Sequence, residues 1–157
     1  MITVVFEVNK ANVYDEVAKT TSYIGVKMKE DANAYGRFFT TDEDRIMLER
    51  FWVETCNAVT DEFKPFVINV SNQPQSHGLE LDRNYKIELE LSNNFDETLQ
   101  GGIETSLYSF FVNSIIAKWC KFTNKDESAS YVSDAAAAMI DVRKKVYYRM
   151  KPKRMKI

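Results

Sequence analysis

The sequence predicts an α+β fold that is mainly α: a bundle of about four helices, with a small β insertion between the second and third long helices and a strand at the N-terminus. Three observations predict it. Only five Gly and three Pro interrupt 157 residues, which favours long regular elements over a loop-rich or all-β chain. Long segments repeat apolar residues at helical spacing, while short ones alternate with period two. A hydrophobic content of 45%, with 13% aromatic, is ample for one packed core, so residues 1–150 read as a single domain and 151–157 as a tail.

The start, "MITVVFEVN", alternates, with Val4, Phe6 and Val8 on one face, and reads as a strand. Asn12, with Asp15 at the third position, is the expected cap of a first helix whose apolar stripe is Val13, Val17, Thr21, Ile24 and Met28. "EDANAYGRFF" breaks the pattern. Thr41 with Asp44 then caps a second helix, where Leu48, Trp52, Cys56, Val59 and Phe63 recur at helical spacing until Pro65 ends it.

The insertion covers about residues 66–91. "PFVINV" is short and β-branched, "SNQPQSHGLELDRN" is a polar connection, and "YKIELELS" puts Tyr85, Ile87, Leu89 and Leu91 on one face. These read as two strands joined by a long exposed loop. Asn94 and Glu97 form the expected capping box of the next helix. Its apolar residues Phe95, Leu99, Ile103, Leu107, Phe110, Phe111, Ile115, Ile116 and Trp119 cover so much of the circumference that the helix should be central. The last helix begins at about Asp126, with Tyr131, Ala135, Met139, Val142 and Val146 inward, and the tract Ala135 to Ala138 would permit a close helix contact. Pro152 marks where it gives way to the tail.

Charge is divided unevenly. The chain holds 21 Lys and Arg against 23 Asp and Glu, and eight of the bases, with no acid, fall at Arg143 and beyond. Residues 1–142 therefore keep 13 bases against all 23 acids, a formal charge of −10. Such asymmetry marks a segment that touches something acidic, although cations are also favoured at a helix C-terminus. Tyr147 and Tyr148 are interleaved with the bases as in stacking nucleic-acid binders, but the acidic body would repel a polyanion. A protein partner meets no such conflict.

Signals of catalysis are poor. One histidine, His77, excludes multi-His metal sites and triads with a second acid-base histidine. Neither a Gly-rich phosphate loop nor a nucleophile elbow occurs. The run Asp42, Glu43 and Asp44 is explained by the helix dipole rather than by a metal. No catalytic, metal or cofactor residues are assigned. Cys56 and Cys120 fall in apolar helical stretches and read as small hydrophobes of a reducing cytoplasm. The start lacks a leader pattern and no run approaches a membrane span, so the expectation is a soluble, unexported protein with no membrane contact.

The order of elements resembles the head–tail connector, or adaptor, proteins of tailed bacteriophages. "TTDEDRIMLERFWVETCNAVTDEF" is similar to the acidic-capped second helix of that family, and "IETSLYSFFVNSIIAKWCKF" to its apolar helix. The N-terminal strand and the long basic tail depart from the pattern. The resemblance implies a homo-oligomeric ring in the virion neck, assembled in the host cytoplasm. It would be stacked beneath the portal protein and joined to a tail-side neck or tail completion protein, with DNA only passing through and no catalysis. It further implies a portal-facing segment made of Arg143, Lys144, Lys145, Tyr147, Tyr148, Arg149, Lys151, Lys153, Arg154 and Lys156. A ring needs a heterologous interface, and extended β elements often supply one. Val67, Ile68, Val70, Tyr85, Ile87 and Leu89 are the candidates for pairing across subunits. The alternative function is a cytoplasmic DNA-binding or DNA-packaging accessory protein that uses the basic tail.

Overall fold

The structure is a computed structural model, and it describes residues 1–27, 44–71, 84–123 and 125–152. In chain order these form strand β1 (Ile2–Val8), helix α1 (Lys10–Lys27), helix α2 (Arg45–Glu62), strand β2 (Val67–Ser71), strand β3 (Tyr85–Leu91), helix α3 (Gln100–Thr123) and helix α4 (Lys125–Tyr147). The fold is α+β and mainly α, with an N-terminal strand and a small antiparallel sheet, as the sequence predicts.

Both alternating stretches bury the face their period selects. Val4, Phe6 and Val8 of β1, and Tyr85, Ile87, Leu89 and Leu91 of β3, are all in the core. The sheet order is β1-β3-β2. Val4 lies opposite Leu89, Phe6 opposite Ile87 and Val8 opposite Tyr85, so the N-terminal strand and the insertion make one sheet. A β-bulge interrupts the other pair: Val67 opposes Leu89 and Asn69 opposes Glu88, leaving Ile68 as the extra residue.

Helix α3 occupies the centre, as its broad apolar surface predicts. It packs against α1, α2, α4 and β1. Ile103, Leu107, Phe111, Ile115, Ile116 and Trp119 are buried, while Leu99 and Phe110 are half-buried at its margin. The ring of Phe111 lies 4.8 Å from that of Trp52 and 5.5 Å from that of Tyr85, which ties α2 and the sheet to the central helix. The expected faces of α1 (Val13, Val17, Thr21), α2 (Leu48, Trp52, Cys56, Val59, with Phe63 at its C-cap) and α4 (Ala135, Met139, Val142, Val146) are buried too. Of the tract Ala135 to Ala138 only Ala135 is in the core. Helices α3 and α4 are also joined where the buried Ser128 hydroxyl donates to the Ala117 carbonyl at 3.0 Å.

Three boundaries differ from the expectation. Asn9, not Asn12, caps α1, because its side-chain oxygen accepts from the Asn12 N–H at 3.0 Å and Lys10 is already helical. Asp96, not Asn94, caps the entry to α3 by accepting from the Thr98 N–H at 3.0 Å. A short 3₁₀ turn, Glu97–Leu99, then precedes the helix proper. Helix α4 ends at Tyr147 rather than near Pro152, because the chain leaves the helix to pair with residues 94–95. Met28, Thr41, Asp42, Glu43 and His77, the side chain of Ile24, and most of the polar connection between β2 and β3 lie outside the described residues.

Candidate functional site

The cations that the sequence assigns to one docking segment divide into three groups. Arg143 reaches across to α2 and pairs with Glu62 at 2.5 Å. Lys145 pairs with Asp141 one turn back at 2.7 Å, and Asp141 also accepts from the Ser106 hydroxyl of α3. The Lys145 ammonium, with the Ser106 hydroxyl next, holds the Asp141 carboxyl below its ordinary range. Gly102 leaves room for this arrangement: a Cβ there would stand 3.1 Å from the Lys145 ammonium nitrogen.

Arg149 turns inward. Its guanidinium donates to the carbonyls of Val146 at 2.6 Å and Tyr148 at 2.8 Å, satisfying acceptors that the end of α4 leaves open. The Met150 N–H donates to the Asn94 carbonyl at 2.8 Å, and Arg149 makes an antiparallel bridge with Phe95. Residues 148–150 are thus fastened to the body just after β3.

The remaining members are at the surface. Lys144, Lys145 and Tyr148 line a groove of about 380 Å³ together with Asp96 and Leu99. Tyr148 is 52% exposed and Tyr147 44% exposed. One side of the Tyr147 ring rests edge-on against Phe66 at 5.6 Å, with Phe63 behind at 6.4 Å. Lys151 is exposed, and Lys153, Arg154 and Lys156 lie outside the described residues.

The β candidates divide as well. Tyr85, Ile87 and Leu89 do not face a neighbour. They are core residues, the Tyr85 hydroxyl is hydrogen-bonded to Thr60 at 2.7 Å, and β3 has a partner strand on each side. Alternation alone marks a buried face without saying which chain buries it. Val67 and Val70 are half-buried on the outer strand, and Ile68 is 51% exposed.

One polar cluster escaped the sequence reading. Lys10, with a side chain only 3% exposed, forms an ion pair with Glu49 of α2. The Tyr14 hydroxyl donates to the other Glu49 oxygen at 2.7 Å. The Lys10 ammonium also stands 5.6 Å from the Tyr14 ring centre and 5.7 Å from that of Trp52. The available signal was Lys10 itself, three residues before Val13 and so on the buried stripe of α1. Burial and the Glu49 carboxylate push the Tyr14 hydroxyl far above its usual pKa, so it stays protonated as a donor. Burial likewise raises the thiols of Cys56 and Cys120, the latter to about 11, which makes both poor nucleophiles.

Among the described residues no three His, Cys, Asp or Glu side chains stand close enough to hold a metal ion, and no helix is long and apolar enough to cross a membrane. No protein-family model, curated protein or solved structure gives a significant match to the chain.

Proposed function

We propose that this chain is a structural subunit of a virion neck: a head–tail connector that forms a ring below the portal, joins capsid to tail and lines the passage of DNA. The observation that carries the reading is the C-terminal end of α4. There Lys144, Tyr147, Tyr148 and Lys151 stand at the surface of a body whose core is complete without them, beside a strand that is paired on one side only among the described residues. A subunit that works by assembly needs a surface of this kind and no reaction centre. The order of elements, with a central apolar helix and a β insertion before it, is the second support.

The same surface supports a second reading, since Tyr147 and Tyr148 are exposed among cations as a DNA-packaging accessory protein would require. The formal charge of −10 on residues 1–142 favours a protein partner over a polyanion. Electron microscopy of purified particles tests the connector reading: a ring of this protein is expected between portal and tail. Its absence from intact particles rejects the reading and promotes the second one.

A further inference from the structure

We propose that the outer edge of β2 receives the C-terminal segment of a second copy of this chain, residues 151–157, as an added strand. The proposal deepens the connector reading by naming the partner of its arm, and rests on that reading only for closure of the ring. It begins with the sheet. β3 is paired on both sides, and the Gln100 side chain donates to the Val5 carbonyl of β1 at 2.9 Å, covering part of that edge. The outer edge of β2 has no strand partner among the described residues.

Exposed edges are ordinarily guarded by charge or proline. The segment VINVS has neither, and its one irregularity, the bulge at Ile68, presents an apolar side chain. Phe66 and Tyr147 add an aromatic shoulder at the entry to the strand. Such a site suits an extended peptide that supplies main-chain hydrogen bonds along the edge and an apolar residue or two at the shoulder.

Charge and length select the occupant. The solvent side of the sheet carries Glu7, Glu88 and Glu90 against the single cation Lys86. The arm carries Lys151, Lys153, Arg154 and Lys156 and no acid. Pro152 suits the approach to an edge, and the five residues after it match the five of β2. Met150 is tied to Asn94, just beyond the end of β3 that lies by Val67. The arm therefore leaves its own body at the Val67 end and could lie on its own β2 only in parallel. A neighbour's arm can enter antiparallel, the more stable pairing. Arm on one face and edge on another make a heterologous contact, which propagates from copy to copy and forms a ring where the rotation between copies closes.

Two variants and their mixture test this. Deleting residues 151–157 removes the arm and keeps the edge. Ile68→Lys keeps the arm and sets a cation on the edge, at a site exposed enough to leave circular dichroism and thermal midpoint unchanged. By sedimentation, the wild-type chain should self-associate with concentration, and each variant should weaken this by roughly tenfold or more. Mixing the two should restore a single contact and yield a one-to-one heterodimer that grows no further. Val132→Lys, on the outer face of α4, should leave assembly at the wild-type level. The proposal is overturned if the wild-type chain stays monomeric, if the mixture does not pair, or if the arm-less chain associates as well as wild type, which would mean β2 pairs with β2. Loss of the ring from virions with the mixture still pairing would sink the connector reading and leave this one standing.

Discussion

Lys10 and Lys145 each hold a carboxylate from a helix, yet their surroundings set them apart. The side chain of Lys10 is 3% exposed and that of Glu49 13%, with Tyr14 and Trp52 closing around them. The side chain of Lys145 is 30% exposed and that of Asp141 44%. Removing one partner of a buried pair strands a charge where water cannot reach it, whereas exposed pairs contribute little. Lys10 at the α1–α2 junction thus belongs to the fold, while Lys145 adds little to it, and beside it Lys144 and Lys151 stand outward and available to a partner.

The largest expected effect breaks the buried side. Glu49→Ala removes the buried carboxylate that Lys10 and Tyr14 share and should cost roughly 3–5 kcal/mol, read as a large drop in thermal midpoint. Phe111→Ala, at the crossing of α2, α3 and the sheet, should cost a similar amount, roughly 3–5 kcal/mol, through the cavity it opens. A wild-type midpoint for either would erase the contrast between the two regions.

The exposed side should respond weakly. Lys145→Ala or Arg143→Ala should change stability by at most about 1 kcal/mol, measured by urea unfolding. The acid side of the pH profile sharpens this. Asp141 is held low by Lys145 and Glu54 by Lys118, so each contributes stability above the ordinary carboxylate pKa that is lost as pH falls through the lowered value. Lys145→Ala and Lys118→Ala should each flatten the loss of stability below about pH 4, where free carboxylates protonate. An unchanged acid limb would show that these pairs are not formed in solution.

What the sequence disclosed follows its periodicities. The alternation of Val4, Phe6 and Val8, the alternation from Tyr85 to Leu91, and the wide apolar surface around Phe111 identified strands and central helix, because burial on one face writes itself into spacing. The pairing of β1 with β3 was not legible, since register between strands so distant in sequence depends on tertiary packing. Caps shifted by a few residues where several polar residues competed, Asn9 against Asn12 and Asp96 against Asn94. For the candidate site, composition found the basic segment but not its division. Only the fold shows Arg149 turned onto the helix carbonyls and Arg143 spent on Glu62, leaving Lys144, Tyr148 and Lys151 outward.

The most direct test of the central claim compares virus particles made with the full-length protein and with a chain ending at Met150. Lys151 and Pro152 are exposed and the body is fastened at Met150, so the shortened chain should keep its thermal midpoint and remain in solution. The account predicts that it nevertheless fails to enter the neck. Normal incorporation of the shortened chain would contradict it, as would duplex DNA binding by the intact protein at physiological salt that disappears with the arm.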